Sequence, residues 1–395
     1  MEEVILLDKM QLGLIALLKS GITGEAVPLP EGFSLEAVDR LVGKQGLMPL
    51  AFQGAQNCGI SLEEPIMQRW WGRCYRNLIR SERQYRRMEE LLAALGEKGL
   101  EHMPVKGCVL KKLYPRQELR PMSDADILIR QEQYPQVREV MESLGFRFVS
   151  ENEHVWEWET EELHVELHKS LVPPGDGDYY GYYGTGWRFG IKGEGSRYDL
   201  SPEDTFIFLL THFARHYRQS GIGCRHVVDL WVYRRAYPGL DLGYMEQELN
   251  RLGLKKFCRN VMGLLDVWFC GETADEIAEL LTDGVFRGGS WGTVEAGMLS
   301  DAARRGQQEH APAGRLPRIP LHMLFPSRSF LIYRYPVLLK YPILQPVIWV
   351  VRWFEILLFR PRNIKKKMKI LGNMDADAIS RHKSALEAVG LGFEE

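Results

Sequence analysis

The stretch Met103–Arg130, MPVKGCVLKKLYPRQELRPMSDADILIR, decides how the chain is read. It opens on a short apolar run, Met103-Pro104-Val105, broken at Lys106-Gly107. A segment of helical character follows, then Leu119-Arg120-Pro121-Met122, then Ser123-Asp124-Ala125-Asp126 running into Ile127-Leu128-Ile129. That last run is short and β-branched, which predicts a strand. Side chains two apart on a strand share a face, so Asp124 and Asp126 project together from its beginning. Adjacent carboxylates repel and raise each other's pKa unless a cation lies between them. A divalent ion is the usual resolution, and Mg²⁺ typically takes one or two carboxylates plus substrate phosphates. The competing reading is a strand-entry turn, since Asp and Ser favour turns and caps.

Lys-Gly, a helix, Leu-Arg-Pro-Met and Asp-x-Asp before an apolar strand together resemble the nucleotidyltransferases of the polymerase-β type. The likeness is greatest to the bacterial branch called the uncharacterised nucleotidyltransferase family. It extends from about Tyr75 to Tyr237, through Leu200-Ser201-Pro202-Glu203-Asp204, His212-Phe213-Ala214-Arg215-His216 and Arg225-His226-Val227-Val228-Asp229-Leu230. The resemblance implies an α+β fold: a small mixed β-sheet core with helices, a largely α-helical N-terminal segment and a helical C-terminal half, with the cleft between core and half. The implied activity is transfer of a nucleoside monophosphate from an NTP to a hydroxyl of a small-molecule or protein acceptor, dependent on Mg²⁺ or Mn²⁺. Asp124, Asp126 and Glu166 are the implied metal ligands, with Glu166 the third carboxylate and an aid in taking the acceptor's proton. Family members carry Gly-Ser after the first strand, and here Lys106-Gly107 takes that place. Two rival functions arise from this departure and from the tail: a non-catalytic nucleotide-binding or regulatory module, and a membrane-surface interaction protein.

Gly107 lets the backbone approach phosphates closely, and Lys106 would neutralise them in place of the missing hydroxyl. The alternative for Lys106 is a strand-end lysine in solvent. Arg120 and Ser123 flank the acidic pair as phosphate contacts, with pairing to Asp124 the alternative for Arg120. Downstream, HVWEWET (154–160) and LHVELHK (163–169) alternate polar with apolar residues around Glu161-Glu162, a hairpin pattern. His164, Glu166 and His168 share one face of its second strand. They would suit zinc only if a further soft ligand lay nearby, and the sequence offers none. His168, His212, Arg215 and His216 are the candidates for the acceptor side, and the helical ones serve equally as a buried polar network joining two helices.

The chain of 395 residues divides on composition into a helical segment (1–68), the α+β core (69–200), a helical domain (201–314) and a basic, apolar tail (315–395). Residues 69–97 form a proline-free helix candidate whose arginines at 69, 73, 76, 80, 83 and 87 follow one face, either a phosphate-facing stripe bordering the site or, more simply, a solvated face. Pro173–Tyr198, dense in Gly and Tyr, reads as a long loop or loosely paired strands, a lid or rim over a site, and 284–314 as irregular. Six scattered cysteines without Cys-x-x-Cys spacing, and acidic residues at the start, point to the cytoplasm.

Net charge is −2, yet residues 315–371 hold twelve Lys/Arg against Glu355 alone, giving +11 there and −13 elsewhere. Such separation suits an anionic partner. The uncharged run Tyr341–Val351 is much shorter than the roughly 20 residues a membrane span needs. Trp349, Trp353, Phe354 and Leu357-Leu358-Phe359, followed by Lys365-Lys366-Lys367 and Lys369, fit either packing on the helical half or weak contact with an anionic membrane, peripheral to the cytoplasm, through 349–369. The burial habit of tryptophan favours packing.

Overall fold

A computed structural model describes residues 8–290, 292–308, 325–326, 328, 331, 335, 337–359 and 376–392. The chain begins with helices α1 (Lys9–Thr23), α2 (Leu35–Gln45) and α3 (Met48–Asn57), then the long α4 (Pro65–Glu97). The core comes next: β1 (His102–Pro104), the one-turn α5 (Gly107–Leu110), β2 (Asp124–Ile129), α6 (Tyr134–Ser143), β3 (Arg147–Glu151), β4 (Val155–Glu159) and β5 (His164–His168). Helix α7 (Gly177–Tyr183) and the small hairpin β6 (Gly190–Lys192) and β7 (Tyr198–Leu200) lead to α8 (Pro202–Gln219), α9 (Cys224–Ala236), α10 (Leu242–Arg251), α11 (Lys255–Leu265), α12 (Glu276–Gly288) and α13 (Val294–Gln308). In the tail lie α14 (Val337–Lys340), α15 (Gln345–Phe359) and α16 (Ala376–Val389).

Five strands form one mixed sheet in the order β1-β2-β5-β4-β3. Strands β2 and β5 are parallel, and their register sets Asp124 beside His164, Asp126 beside Glu166 and Leu128 beside His168. Burial fixes that register. Ala125, Ile127, Ile129, Val165 and Leu167 all enter one apolar cluster with Met88, Leu91 and Leu95 of α4 and Val137, Val140 and Met141 of α6. A slip of one residue would turn these side chains out and the carboxylates in. The alternate residues therefore face the other way, toward the helical half.

A second, larger cluster joins Leu14, Leu17 and Leu50 of the N-terminal helices to Met103, Val105 and Leu128 and to Phe206, Phe213, Val227, Trp231 and Phe257. The sheet is thus covered by α4 and α6 on one face and by helices of the chain's two ends on the other. The start of α8 is as expected: Ser201 Oγ accepts from the Asp204 amide at 3.0 Å, and Pro202 opens the helix.

Two expectations change. Residues 173–198 include a helix that neither reading allowed for, because α7 forms where Tyr179 and Tyr183 can bury on the helical core, while the paired-strand reading holds for β6 against β7. The Gly-rich stretch 284–308 is largely helical, broken around Gly289 and restarted where the Thr293 hydroxyl accepts from the Ala296 amide. The arginine stripe of α4 does face water from Arg69 to Arg83.

In the tail, Leu331, Leu338 and Ile348 make a small cluster of their own with Trp349 beside it, and Trp349 donates to the Pro326 carbonyl at 3.0 Å. The opposite face of α15 exposes Val347, Val350, Val351 and Phe354, the last 62% accessible. The side chains of Leu357, Leu358 and Phe359, and the lysines at 365–367 and 369, lie outside the described residues. No helix among the described residues is long and apolar enough to cross a membrane.

Candidate active site

Between the sheet and the helical half lies a cavity of about 330 Å³. One wall is the polar face of β2 and β5 with the β1–α5 turn: Asp124, Asp126, Glu166, His168, Lys106 and Gly107. The other is α8 and α9: His212, Arg215, His216, Arg225 and His226.

Asp126 is the hub. Its Oδ1 accepts from Lys106 Nζ at 2.6 Å and lies 2.9 Å from His168 Nε2, which also stands 3.4 Å from Glu166 Oε2. Lys106 is not a solvated strand-end residue, since its side chain is only 16% exposed. It is also the one non-glycine with positive φ (49°) among the described residues, a costly backbone that places its amine over the carboxylates. Gly107 lines the cavity, and its lack of a side chain is also required by its own neighbours. A Cβ there would stand 3.0 Å from Arg120 Nη1 and 3.1 Å from Met122 Sδ, so the close approach it permits includes the chain itself.

The electrostatics are uneven. Burial disfavours the Asp126 carboxylate, but Lys106 and His168 outweigh burial and hold its pKa below the ordinary value. Burial also opposes the Lys106 ammonium, yet Asp126, Glu166 and Asp124 hold its pKa up. Asp124, whose Oδ1 accepts from Ser123 Oγ at 2.9 Å, is pushed up by burial and by both neighbouring carboxylates. One lysine does not balance the wall. Asp126, Glu166 and His168 offer donor atoms within 4.8 Å of one another, so the residues present fit a divalent cation.

Arg120 lines the cavity and pairs with Asp229 rather than Asp124. Its Nε and Nη2 donate to Asp229 Oδ1 and Oδ2 at 2.8 and 2.9 Å, and Tyr114 Oη donates to Oδ1 at 2.7 Å. The partner sits on α9, across the cleft, and the pair ties β2's entry to the helical wall. Arg215 is held by Asp176. On α8 and α9 the rings of His212, His216 and His226 gather, with centroids 4.4 Å apart for His212–His216 and 5.5 Å for His212–His226. Burial and nearby cations drive all three down, His216 to about 3. His164 lies outside the donor group, 3.9 Å from Glu157 Oε2, so the His164/Glu166/His168 zinc set does not assemble. His154, from the turn before β4, lines the cavity unforeseen. The register sets its neighbour Val155 beside His168, and His168 Nδ1 stands 3.1 Å from His154 Nε2.

Residues 31–270 match the family described as "Uncharacterised nucleotidyltransferase", 240 of 395 residues. The chain belongs to that family. No curated protein matches. Among solved structures, the chain is similar to the antibiotic-resistance factor ANT(2'')-Ia, with 15% identity and a TM-score of 0.32 over 47% of this chain and 97% of that one. A likeness that slight says nothing about the acceptor or the chemistry of this chain. The α+β architecture and mixed five-stranded sheet are evident from the strand pairing itself.

Proposed function

We propose that the protein transfers a nucleoside monophosphate from an NTP to a hydroxyl group of an acceptor, with Asp124, Asp126 and Glu166 as its acidic centre. The carrying observation is the parallel register that sets Asp126 beside Glu166 on the polar face, over a cavity of about 330 Å³ within the usual range for small-molecule sites. A divalent ion (Mg²⁺ or Mn²⁺) held by the wall's carboxylates would polarise the α-phosphate and stabilise the departing pyrophosphate. The chain's own residues do the rest. Lys106 contributes fixed positive charge for the triphosphate, with Ser123 beside it. Glu166 takes the proton of the acceptor hydroxyl as its oxygen bonds to the α-phosphorus and the bond from that phosphorus to the pyrophosphate oxygen breaks. His212, Arg215 and His216 line the space left for the acceptor, and their burial keeps water from competing.

Incubation with labelled NTPs, Mg²⁺ or Mn²⁺ and a metabolite extract tests this. Label should appear on an acceptor with wild type and not with Asp126→Asn, and equal labelling by both would defeat the assignment. The Lys106–Asp126 ion pair supports one rival, a nucleotide-binding module without turnover. Tight NTP binding without label transfer would favour it. For the tail, the exposed face of α15 and the basic sequence after it support weak docking on an anionic membrane from the cytoplasm. Sedimentation with phosphatidylserine vesicles, lost in Phe354→Glu, tests that contact.

A further inference from the structure

We infer that the acceptor of the proposed transfer is itself an anion, a hydroxyl compound bearing a phosphate ester or a carboxylate, whose charged group seats at Arg225. This rests on the nucleotidyl-transfer reading above and adds the substrate class, which the sequence leaves open.

Charge is sorted between the two walls. Four acids line the cavity: Asp124, Asp126 and Glu166 on the sheet side and Asp229 on the helical side. With Lys106 and a divalent ion in place, the three sheet carboxylates are balanced. Asp229 is spent, since Arg120 takes both of its oxygens and Tyr114 adds a third bond. A cationic acceptor would therefore find no lining acid among the described residues that is not already engaged. The helical wall has charge to spare. Three guanidiniums, Arg120, Arg215 and Arg225, border it against two carboxylates, Asp229 and the Asp176 that holds Arg215. The excess falls on Arg225. Burial and Arg120 both disfavour its charged form, and Asp229 and Asp124 offset them only in part.

A cation held in excess away from bulk water is costly until an anion meets it. A guanidinium presents a planar fork of donors that matches the oxygens of a carboxylate or phosphate. The backbone repeats that preference. Arg225 is the second residue of α9, whose N-terminal end, with Gly221 and Ile222 before it, also lines the cavity. Helix N-termini carry partial positive charge that favours anions. Gly223 at the cap has no side chain to fill that end, and Gln45 Oε1 takes the Cys224 amide at 2.9 Å. Lys106, 2.6 Å from Asp126 Oδ1, belongs to the sheet wall instead. In-line displacement puts the attacking and leaving oxygens on opposite sides of the phosphorus, which suits Lys106 to the pyrophosphate and Arg225 to the acceptor.

A metabolite extract split on an anion-exchange resin before reaction with labelled NTP and Mg²⁺ tests this with wild type alone, so no variant need fold. Label should move to compounds of the retained fraction and to none of the flow-through, which holds neutral and cationic ones. Phosphatase treatment of the retained fraction, with the phosphatase then removed, abolishes labelling of a phosphate ester and spares a carboxylate. Inorganic phosphate, followed by ³¹P NMR with Mg²⁺ and no nucleotide, reads the subsite itself. Arg225→Met should weaken its binding by about tenfold or more, as for a lost charge-assisted hydrogen bond, and Lys106→Ala by less than about threefold. Transfer to flow-through compounds would overturn the inference and leave the reaction standing. So would an absence of phosphate binding, or binding that depends on Lys106 and not on Arg225. No transfer with either fraction, with phosphate binding still dependent on Arg225, would remove the reaction and leave Arg225 as an anion subsite.

Discussion

Two ion pairs border the same cavity and are built on opposite terms. Arg120–Asp229 is closed: two parallel hydrogen bonds, a third from Tyr114, and side chains only 7% and 5% exposed. Each charge has its complement, and nothing is left for a ligand to satisfy. Lys106–Asp126 is open, with one ammonium among three carboxylates and one of these, Asp124, pushed toward its neutral form. A balanced buried pair specifies how parts dock. An unbalanced one marks where charge is to arrive.

The contrast breaks most visibly in activity. Asp126→Asn should lower nucleotidyl transfer by at least about 10²–10³-fold, the scale for losing one preorganised electrostatic contact, while Lys106 keeps Glu166 and Asp124 as partners, so unfolding shifts less than on the closed side. Substitution on the closed side should do the reverse. Asp229→Ala strands the Arg120 guanidinium and should cost about 3–5 kcal/mol in denaturant unfolding, whereas Arg120→Met with Asp229→Leu should recover much of it. A loss under about 1 kcal/mol in Asp229→Ala would erase the distinction between the pairs. Lys106→Ala should weaken NTP binding by about 1–3 kcal/mol in calorimetry, as for a charge-assisted hydrogen bond.

The pH response sharpens the comparison on the helical wall. Burial first, then Arg215, Lys106 and Arg225, lower the His216 pKa from 6.5 to about 3, so the unfolded chain takes up a proton there that the folded one refuses. Stability contributed by the neutral ring is therefore present above pH 6.5 and is lost as pH falls from 6.5 toward 3. His216→Gln should flatten that slope in pH-dependent unfolding. Smallest of all, Arg83→Ala on the solvated face of α4 should change stability by no more than about 0.5 kcal/mol and leave transfer unaltered.

What the sequence made legible was whatever depends on short periods. Alternation placed Asp124 with Asp126 and Glu166 with His168, and the Ser201-Pro202 start of α8 was plain from capping chemistry. Family resemblance supplied Glu166 as the third acid, and the β2–β5 register shows why it lies beside Asp126. What stayed hidden depends on partners far along the chain. Nothing local says that Arg120 reaches Asp229, 109 residues away, rather than Asp124 next door. The type of Gly107 records freedom, not that Arg120 and Met122 crowd it. His154 sits in a turn with no periodic signal, and α7 forms only because Tyr179 and Tyr183 find a core to enter.

The parallel pairing of β2 with β5 has a consequence in time. Its two strands are separated by α6, β3 and β4, and the wall facing them comes from α8 and α9, so the cavity joins three separate parts of the chain. Contacts of such sequence separation close slowly and late. A nascent or partly folded chain can hold α4 against α6 and still lack any place where Asp126 meets Glu166. On the proposed metal-dependent reading, competence to gather a cation arrives with the last long-range pairing, and cation uptake during refolding should report that final step rather than the earlier collapse.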